Sequence, residues 1–246
     1  MFNYLLKIEY DGTKFVGWQS QKNGNSIQKN IEIALKKILK KNTKIYGAGR
    51  TDKGVHAISQ FANFRSKKKI DNKKIFLDSI NFFLKKNLIS ILDISKKAEN
   101  FHSRFSAKLR TYEYVIVNRR GTLSIYKNKA WHVKKKIDVK LMKRGAKIFE
   151  GTHDFSTFRA ASCSAKSPIK KMYPIKINKK NDMIKIKIIS KSFLQNQVRS
   201  MVGSLIYLST GKWSFIKFKK AFRSKKRINC APPAPACGLY LQNIKY

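Results

Sequence analysis

Asp52 lies in the run Gly47-Ala48-Gly49-Arg50-Thr51-Asp52-Lys53-Gly54-Val55-His56-Ala57, and it is the only acidic residue between Glu32 and Asp71. The whole chain of 246 residues has 55 Lys and Arg against 13 Asp and Glu. An ionised carboxylate fixed among cations can attack a carbon or take a proton. Gly47, Gly49 and Gly54 let the backbone turn sharply or approach a ligand. Arg50 would share a face with Asp52 if the run is extended. Two phosphate-cradling templates fail here. The dinucleotide fingerprint needs glycine where Asp52 stands, and the P-loop needs Ser or Thr where Gly54 follows Lys53. The competing reading is a structural turn with an incidental salt bridge.

The other reactive side chains point to less. His56, His102, His132 and His153 match no metal-ligand spacing, so structural or RNA-facing roles are expected and no metal is. Cys163, Cys230 and Cys237 are few and odd in number. They indicate a reducing compartment, the cytoplasm, and no disulfide frame. Asp154 reads as a cap or turn residue. Phe82, Phe83, Phe155 and Phe158 read as core.

The elements that must position Asp52 follow from periodicity. Tyr4 to Tyr10 alternates as a strand turned by Asp11-Gly12, not as a signal peptide. Ser26 caps a helix with Ile27, Ile31, Ala34, Leu35, Ile38 and Leu39 on one face. Residues 44–65 read as strand, glycine turn and strand. Asp71 is expected to cap a helix with Ile75, Ile80, Phe83 and Leu84 inward, before a strand from Leu88 to Ile94. This is the β-α-β-β-α-β order of a ferredoxin-like unit. The second half repeats it. A strand spans Thr111 to Asn118, buried on both faces. A helix spans Ile137 to Phe149, and a hairpin turns around Asn178 to Asp182. A second, amphipathic helix runs from Gln195 to Leu208. The Pro-rich Ala231-Pro232-Pro233-Ala234-Pro235 reads as a stiff linker to a last strand, Leu239 to Tyr246. The expected fold is α+β, with two ferredoxin-like (RRM-like) halves, 1–108 and 109–246. Their antiparallel sheets are expected to join around a central cleft that holds Asp52.

Four segments combine with this order. They are the Asp52 turn; Phe101-His102-Ser103-Arg104-Phe105-Ser106-Ala107 leading to Arg110-Thr111-Tyr112-Glu113-Tyr114; Glu150-Gly151-Thr152-His153-Asp154-Phe155-Ser156; and Ser192 to Gly203 with Cys237-Gly238-Leu239-Tyr240-Leu241. With Tyr10-Asp11-Gly12, Gly17-Trp18-Gln19 and Ser26-Ile27-Gln28, they resemble the tRNA pseudouridine synthase A family over essentially the whole chain. One departure is Asn196-Gln197, where many members carry His-Met.

The resemblance implies a cofactor-free isomerisation of uridine at positions 38–40 of the tRNA anticodon stem-loop. It implies Asp52 as nucleophile or base and Arg199 as its salt-bridge partner. Tyr112 would stack on the target base, and Arg50 would help hold that base out of its stack. It also implies a homodimer, with one tRNA contacting both subunits. From residues alone, three rivals stay open: a non-catalytic RNA-binding protein, a base-releasing glycosylase and a ribosome-associated structural protein.

A net charge of +42 points to a polyanion, most simply nucleic acid. No apolar run is long enough to cross a membrane. Lys supplies 44 of the basic residues and Arg only 11. Abundant Ile, Asn and Phe mark a compositional bias toward lysine, so the sign of the charge says more than its size. A retained Arg is more telling, because only Arg offers the planar fork. Each phosphate neutralised on duplex contributes a slope of about −0.9 in log affinity against log salt, so RNA binding should show a slope on the order of −5 to −10. Affinity titrations across salt concentration check this, and a flat response would make the lysines merely compositional.

Overall fold

Eleven strands and five α-helices are present among the described residues, 1–21 and 24–246, of a computed structural model. In chain order they are β1 (Phe2–Tyr10), α1 (Ile27–Leu39), β2 (Ile45–Gly47), β3 (His56–Ser66), α2 (Lys73–Leu84), β4 (Ile89–Lys97), β5 (Leu109–Asn118), β6 (Trp131–Val133), α3 (Val139–Lys147), β7 (Gly151–Asp154), β8 (Ile169–Met172), β9 (Lys176–Lys180), β10 (Met183–Ser190), α4 (Gln197–Ser209), α5 (Phe215–Arg223) and β11 (Leu239–Lys245). This is the α+β class that the sequence pattern indicates. The chain forms two compact units, Met1–Lys108 with Tyr240–Tyr246, and Leu109–Leu239.

The first unit has the strand order β4-β1-β3, with β2 on the free side of β3. All these pairs are antiparallel, which is the ferredoxin-like arrangement. The same edge of β3 also takes β11 in parallel, through Tyr240 opposite His56 and Leu241 opposite Ala57. Alternation along β1 sends Tyr4, Leu6 and Ile8 to one face and Asn3 and Leu5 to the other, and all five are buried. Helix α1 begins where the Ser26 hydroxyl accepts the Lys29 N–H at 3.4 Å. It buries Ile27, Ile31, Ala34 and Leu35, each large aliphatic contributing about 1.5–3 kcal/mol.

Helix α2 corrects the expectation at several residues. Its cap is Asn72, whose side chain accepts the Ile75 N–H at 3.0 Å, not Asp71. Phe76, Ile80 and Leu84 face inward at helical spacing, while Ile75, Phe82 and Phe83 are exposed. Moving the cap by one residue rotates the apolar choice by about 100°, and two competing stripes made the wrong one legible. The exposed rings are covered by lysines: Lys85 Nζ lies 4.6 Å from the Phe82 ring centre and Lys37 Nζ 4.8 Å from that of Phe83.

The second unit follows a related order. β5 pairs antiparallel with β10, which pairs with β9 and, at one residue, with β8. β9 and β10 are joined by Asn181-Asp182, with Asn181 at φ 53°. Tyr112, Tyr114, Val115, Ile116 and Val117 are all buried, so β5 is covered on both faces as expected.

Two other expectations change here. Helix α4 is not amphipathic: eleven of its residues are buried, including Gln197, Ser200, Ser204 and Ser209. The Pro-rich segment is a packed strap, not a linker, with Ala231 and Ala234 buried. Its carbonyls are satisfied from inside, Ala234 O by Arg199 Nε at 2.7 Å and Pro235 O by the Tyr114 hydroxyl at 2.6 Å. The strap lies directly against α4, where a Cβ on Gly203 would come 2.1 Å from Pro232 O. Short polar strands β6, β7 and β8 and the lysine-rich α5 escape sequence reading. Helix α5 nevertheless has a legible cap, since the Ser214 hydroxyl accepts the Lys217 N–H at 3.2 Å. Its Phe218 and Phe222 enter a ring cluster with Phe149, Phe155 and Phe158.

Candidate active site

Asp52 lies on the connection from β2 to β3, and that connection is tied down along its length. At its start the Ala48 N–H donates to Phe61 O at 2.8 Å, and Gln60 Nε2 donates to Gly49 O at 2.8 Å. Asp52 itself forms an antiparallel bridge with Gly17. Beside it the Trp18 N–H donates to Thr51 O at 3.0 Å. The Tyr10 hydroxyl and Thr51 Oγ1 are 2.7 Å apart, and both residues are buried. The Val55 N–H closes a turn on Asp52 O at 3.1 Å. That turn needs a positive φ at its third residue, which Gly54 supplies at 79°. Gly12 has no room for a side chain, because a Cβ there would lie 2.0 Å from Val55 O.

His56 anchors the far end of the connection. Its ring is 2% exposed and stacks on Tyr240 at 4.8 Å. Nδ1 lies 3.1 Å from the Gly12 N–H and 3.0 Å from Asp11 Oδ1. With Nδ1 bare the ring accepts from the amide; with a proton on Nδ1 it donates to the carboxylate.

The sequence-expected site residues fall in both units. In the first unit Asp52 is half-buried, and Arg50, two residues earlier, is exposed. In the second, Tyr112 lies on β5, 9% exposed, with its ring edge-on to Phe193 at 5.2 Å. Arg199 lies in the first turn of α4. Its Nε donates to Ala234 O at 2.7 Å and its Nη1 to Asn196 Oδ1 at 3.2 Å, which fixes the guanidinium plane. Asn196 enters α4 at φ 63° and makes no side-chain cap; its carbonyl serves Arg199 instead. Gln197 turns inward, where Oε1 accepts the Leu194 N–H at 2.8 Å and Nε2 faces the sulfurs of Met172 and Met201. The departure Asn196-Gln197 therefore has a local packing account. Sequence reasoning missed Tyr10, Gly12, Gly17, Thr51 and His56 as the holders of the Asp52 loop. The signal of Tyr10, Gly12 and Gly17 was present in the short motifs near the start of the chain, and that of Thr51 and His56 in the Asp52 run itself, without any spacing to say what they hold.

Among the described residues no group of three His, Cys, Asp or Glu side chains is placed to hold a metal ion, and no helix is long and apolar enough to cross a membrane.

The family described as tRNA pseudouridine synthase matches residues 7–106 and 146–246. The chain belongs to that family. It is 54% identical to a tRNA pseudouridine synthase A of Pelagibacter ubique over the full length of both chains. The corresponding protein of Maricaulis maris is 41% identical over all of this chain and 98% of its own. That of Parvibaculum lavamentivorans is 42% identical over the whole of both. The chain is thus an RNA pseudouridine synthase, an isomerase. Membership sets aside the non-catalytic, glycosylase and ribosomal readings.

Tyr10→Phe removes one buried hydrogen bond from the loop without changing its volume. That should cost about 1 kcal/mol of stability. The loop that carries Asp52 would loosen more than the core, so the single-turnover rate should fall several-fold while RNA affinity holds. Rapid-quench kinetics with enzyme in excess check this, and an unchanged rate would remove Tyr10 from the positioning of Asp52.

Proposed function

We propose that this synthase converts uridine to pseudouridine at positions 38–40 of the tRNA anticodon stem-loop, with Asp52 as nucleophile or base. The observation that carries the Asp52 assignment is the fixing of its loop, by the Gly17 bridge, the Trp18 and Val55 amides and the Tyr10–Thr51 pair. A loop held at so many points suits a side chain whose position must not drift.

The reaction conserves mass. The N1–C1′ bond breaks, the base rotates, and C5 bonds to C1′, losing its proton as N1 gains one. A carboxylate beside the sugar can attack C1′ or remove a ribose proton. Either role requires the ionised form, which a neighbouring guanidinium favours. Arg199 is the proposed source of that charge. Two of its nitrogens are held by Ala234 and Asn196, which suits a positioned partner better than a mobile phosphate contact. Tyr112 is proposed to lie against the target base. Arg50, exposed and two residues before Asp52, is proposed to hold the base out of its stack, at a cost of about a few kcal/mol. On this reading the half 1–108 brings the acid, and the half 109–246 brings Tyr112 and Arg199. A cytoplasmic homodimer is the assembly that the resemblance favours.

Two variants test the roles. Asp52→Asn should abolish pseudouridine formation in a uridine-containing tRNA transcript, mapped after chemical derivatisation, while tRNA affinity stays within a few-fold. Retained wild-type turnover would remove Asp52 from the chemistry.

Arg199→Lys keeps the charge but loses the fork that fits a carboxylate. It should slow the chemical step more than it weakens binding, and Arg199→Ala should slow it further. Lys180→Ala, on the exposed end of β9, is the control. Single-turnover kinetics at saturating enzyme separate the two effects. A wild-type rate in the bound Arg199→Lys complex would reduce Arg199 to a phosphate contact.

A further inference from the structure

A second group of residues in the first unit has the chemistry of a nucleic-acid contact without being part of the Asp52 loop. Three rings follow one another: Tyr46 lies 5.5 Å from His102, and His102 lies 4.5 Å from Phe105. Tyr46 is 41% exposed and Phe105 76% exposed. Cations flank the series, with Lys44 Nζ 5.9 Å from the Tyr46 ring centre and the Arg104 guanidinium 5.6 Å from that of Phe105.

A single exposed Phe needs no explanation. This one is different because its loop is held rigid by buried polar groups. Ser103, fully buried, donates its N–H to Asn63 Oδ1 at 2.9 Å and its hydroxyl to Tyr46 O. Asn63 Nδ2 donates to Asn3 Oδ1 at 3.1 Å, and Asn3 Nδ2 reaches Ala98 O and Phe101 O at 3.0 and 2.9 Å. A buried network of bonded amides specifies one conformation of the loop, which a plain connector does not require. What the network achieves is to present Phe105 and His102 beside Tyr46 in one arrangement. The imidazole is biased toward its neutral form as well. Its Nδ1 accepts the Arg104 N–H at 3.1 Å, and partial burial, then the Arg104 charge, push its pKa below the usual histidine value.

We propose that Tyr46, His102 and Phe105 form a stacking platform for an unpaired RNA base outside the reacting nucleotide, with Lys44 and Arg104 taking the flanking phosphates. A flat ring accepts any base, and cations on either side suit the strand's backbone. The platform rests on the tRNA substrate reading above. It extends that reading by giving the enzyme a grip on single-stranded RNA that is separate from the chemistry. Tyr46 lies on β2, the strand that leads into the Asp52 connection, so a base held there would register the strand relative to that loop.

The test uses the full chain with heptauridylate and with the abasic ribose-phosphate oligomer of equal length, followed by fluorescence anisotropy at several salt concentrations. Phe105→Ala and Phe105→Leu should each weaken heptauridylate binding about tenfold. They should leave abasic binding and the salt slope unchanged, and Phe105→Trp should keep wild-type affinity. Arg104→Ala should lower the salt slope for both oligomers. Wild-type affinity in Phe105→Leu, or an equal loss for both oligomers, overturns the stacking assignment. These measurements need no catalysis. If Asp52→Asn kept full activity, the mechanism would fall and the platform result would stand. If Phe105→Ala bound normally while pseudouridine still formed, the platform alone would fall.

Discussion

On the proposed reading, a carboxylate that must meet one sugar carbon has to be held to within about 0.5 Å. Here it sits on a connection between two strands, the kind of segment that is ordinarily mobile. The structure depends on how that conflict is resolved. Backbone groups of Gly17 and Trp18 add a partial strand to the Asp52 connection. The stretch after β1 thereby serves as a splint, and Gly12 is small enough to let it reach Val55 O. The splint in turn is held by the start of α1, through the Ile27 and Gln28 amides to Gly17 O and Trp18 O. Strand, splint, helix and hairpin thus all bear on one loop. A ferredoxin-like unit can hold its β2–β3 connection this firmly because the start of α1 bonds the stretch that pairs with it.

The second unit solves a different problem, that of holding a cation in place. An arginine on a solvated helix would swing through many rotamers, at about 2 kcal/mol of conformational entropy to immobilise. Arg199 is instead built into a helix buried nearly all round, against a strap of prolines that have little freedom left to lose. The Ala234 N–H donates to Arg199 O while Ala234 O takes Arg199 Nε, so helix and strap are locked by the same residue in both directions. Buried serines along α4 fit this packing. Small polar side chains let the strap approach, and Ser200 Oγ accepts from Arg227 Nη1 at 3.0 Å.

Much of this was legible before any coordinates. The turn around Asp52 could be read because glycine and an isolated acid are both local signals. The strands β1, β3 and β5 and the helices α1 and α3 could be read because their apolar periods are single and strong. Helix α2 was misread where two periods compete: Ile75 and Phe83 make as good a stripe as Phe76, Ile80 and Leu84, and only the sheet beneath decides. Phe82 and Phe83 went wrong for a related reason. An aromatic residue is core by default, and a lysine laid over its face becomes visible only in three dimensions.

The buried polar residues show where sequence reading stops. Asn3, Asn63 and Ser103 look like ordinary solvated positions, and nothing in their spacing links residues 60 and 40 positions apart. Their burial makes sense only once the segment after β4 crosses the sheet face opposite the helices, so that each amide must find a partner there. The same holds for Arg199. Its scarcity as an arginine in a lysine-rich chain pointed to a need for the fork. The partners of Nε and Nη1, a backbone carbonyl in the strap and an asparagine in left-handed geometry, have no signature at all. Sequence marks the groups whose types could do chemistry, because few residue types can. It hides the groups that hold them, because any donor or acceptor in the right place will serve.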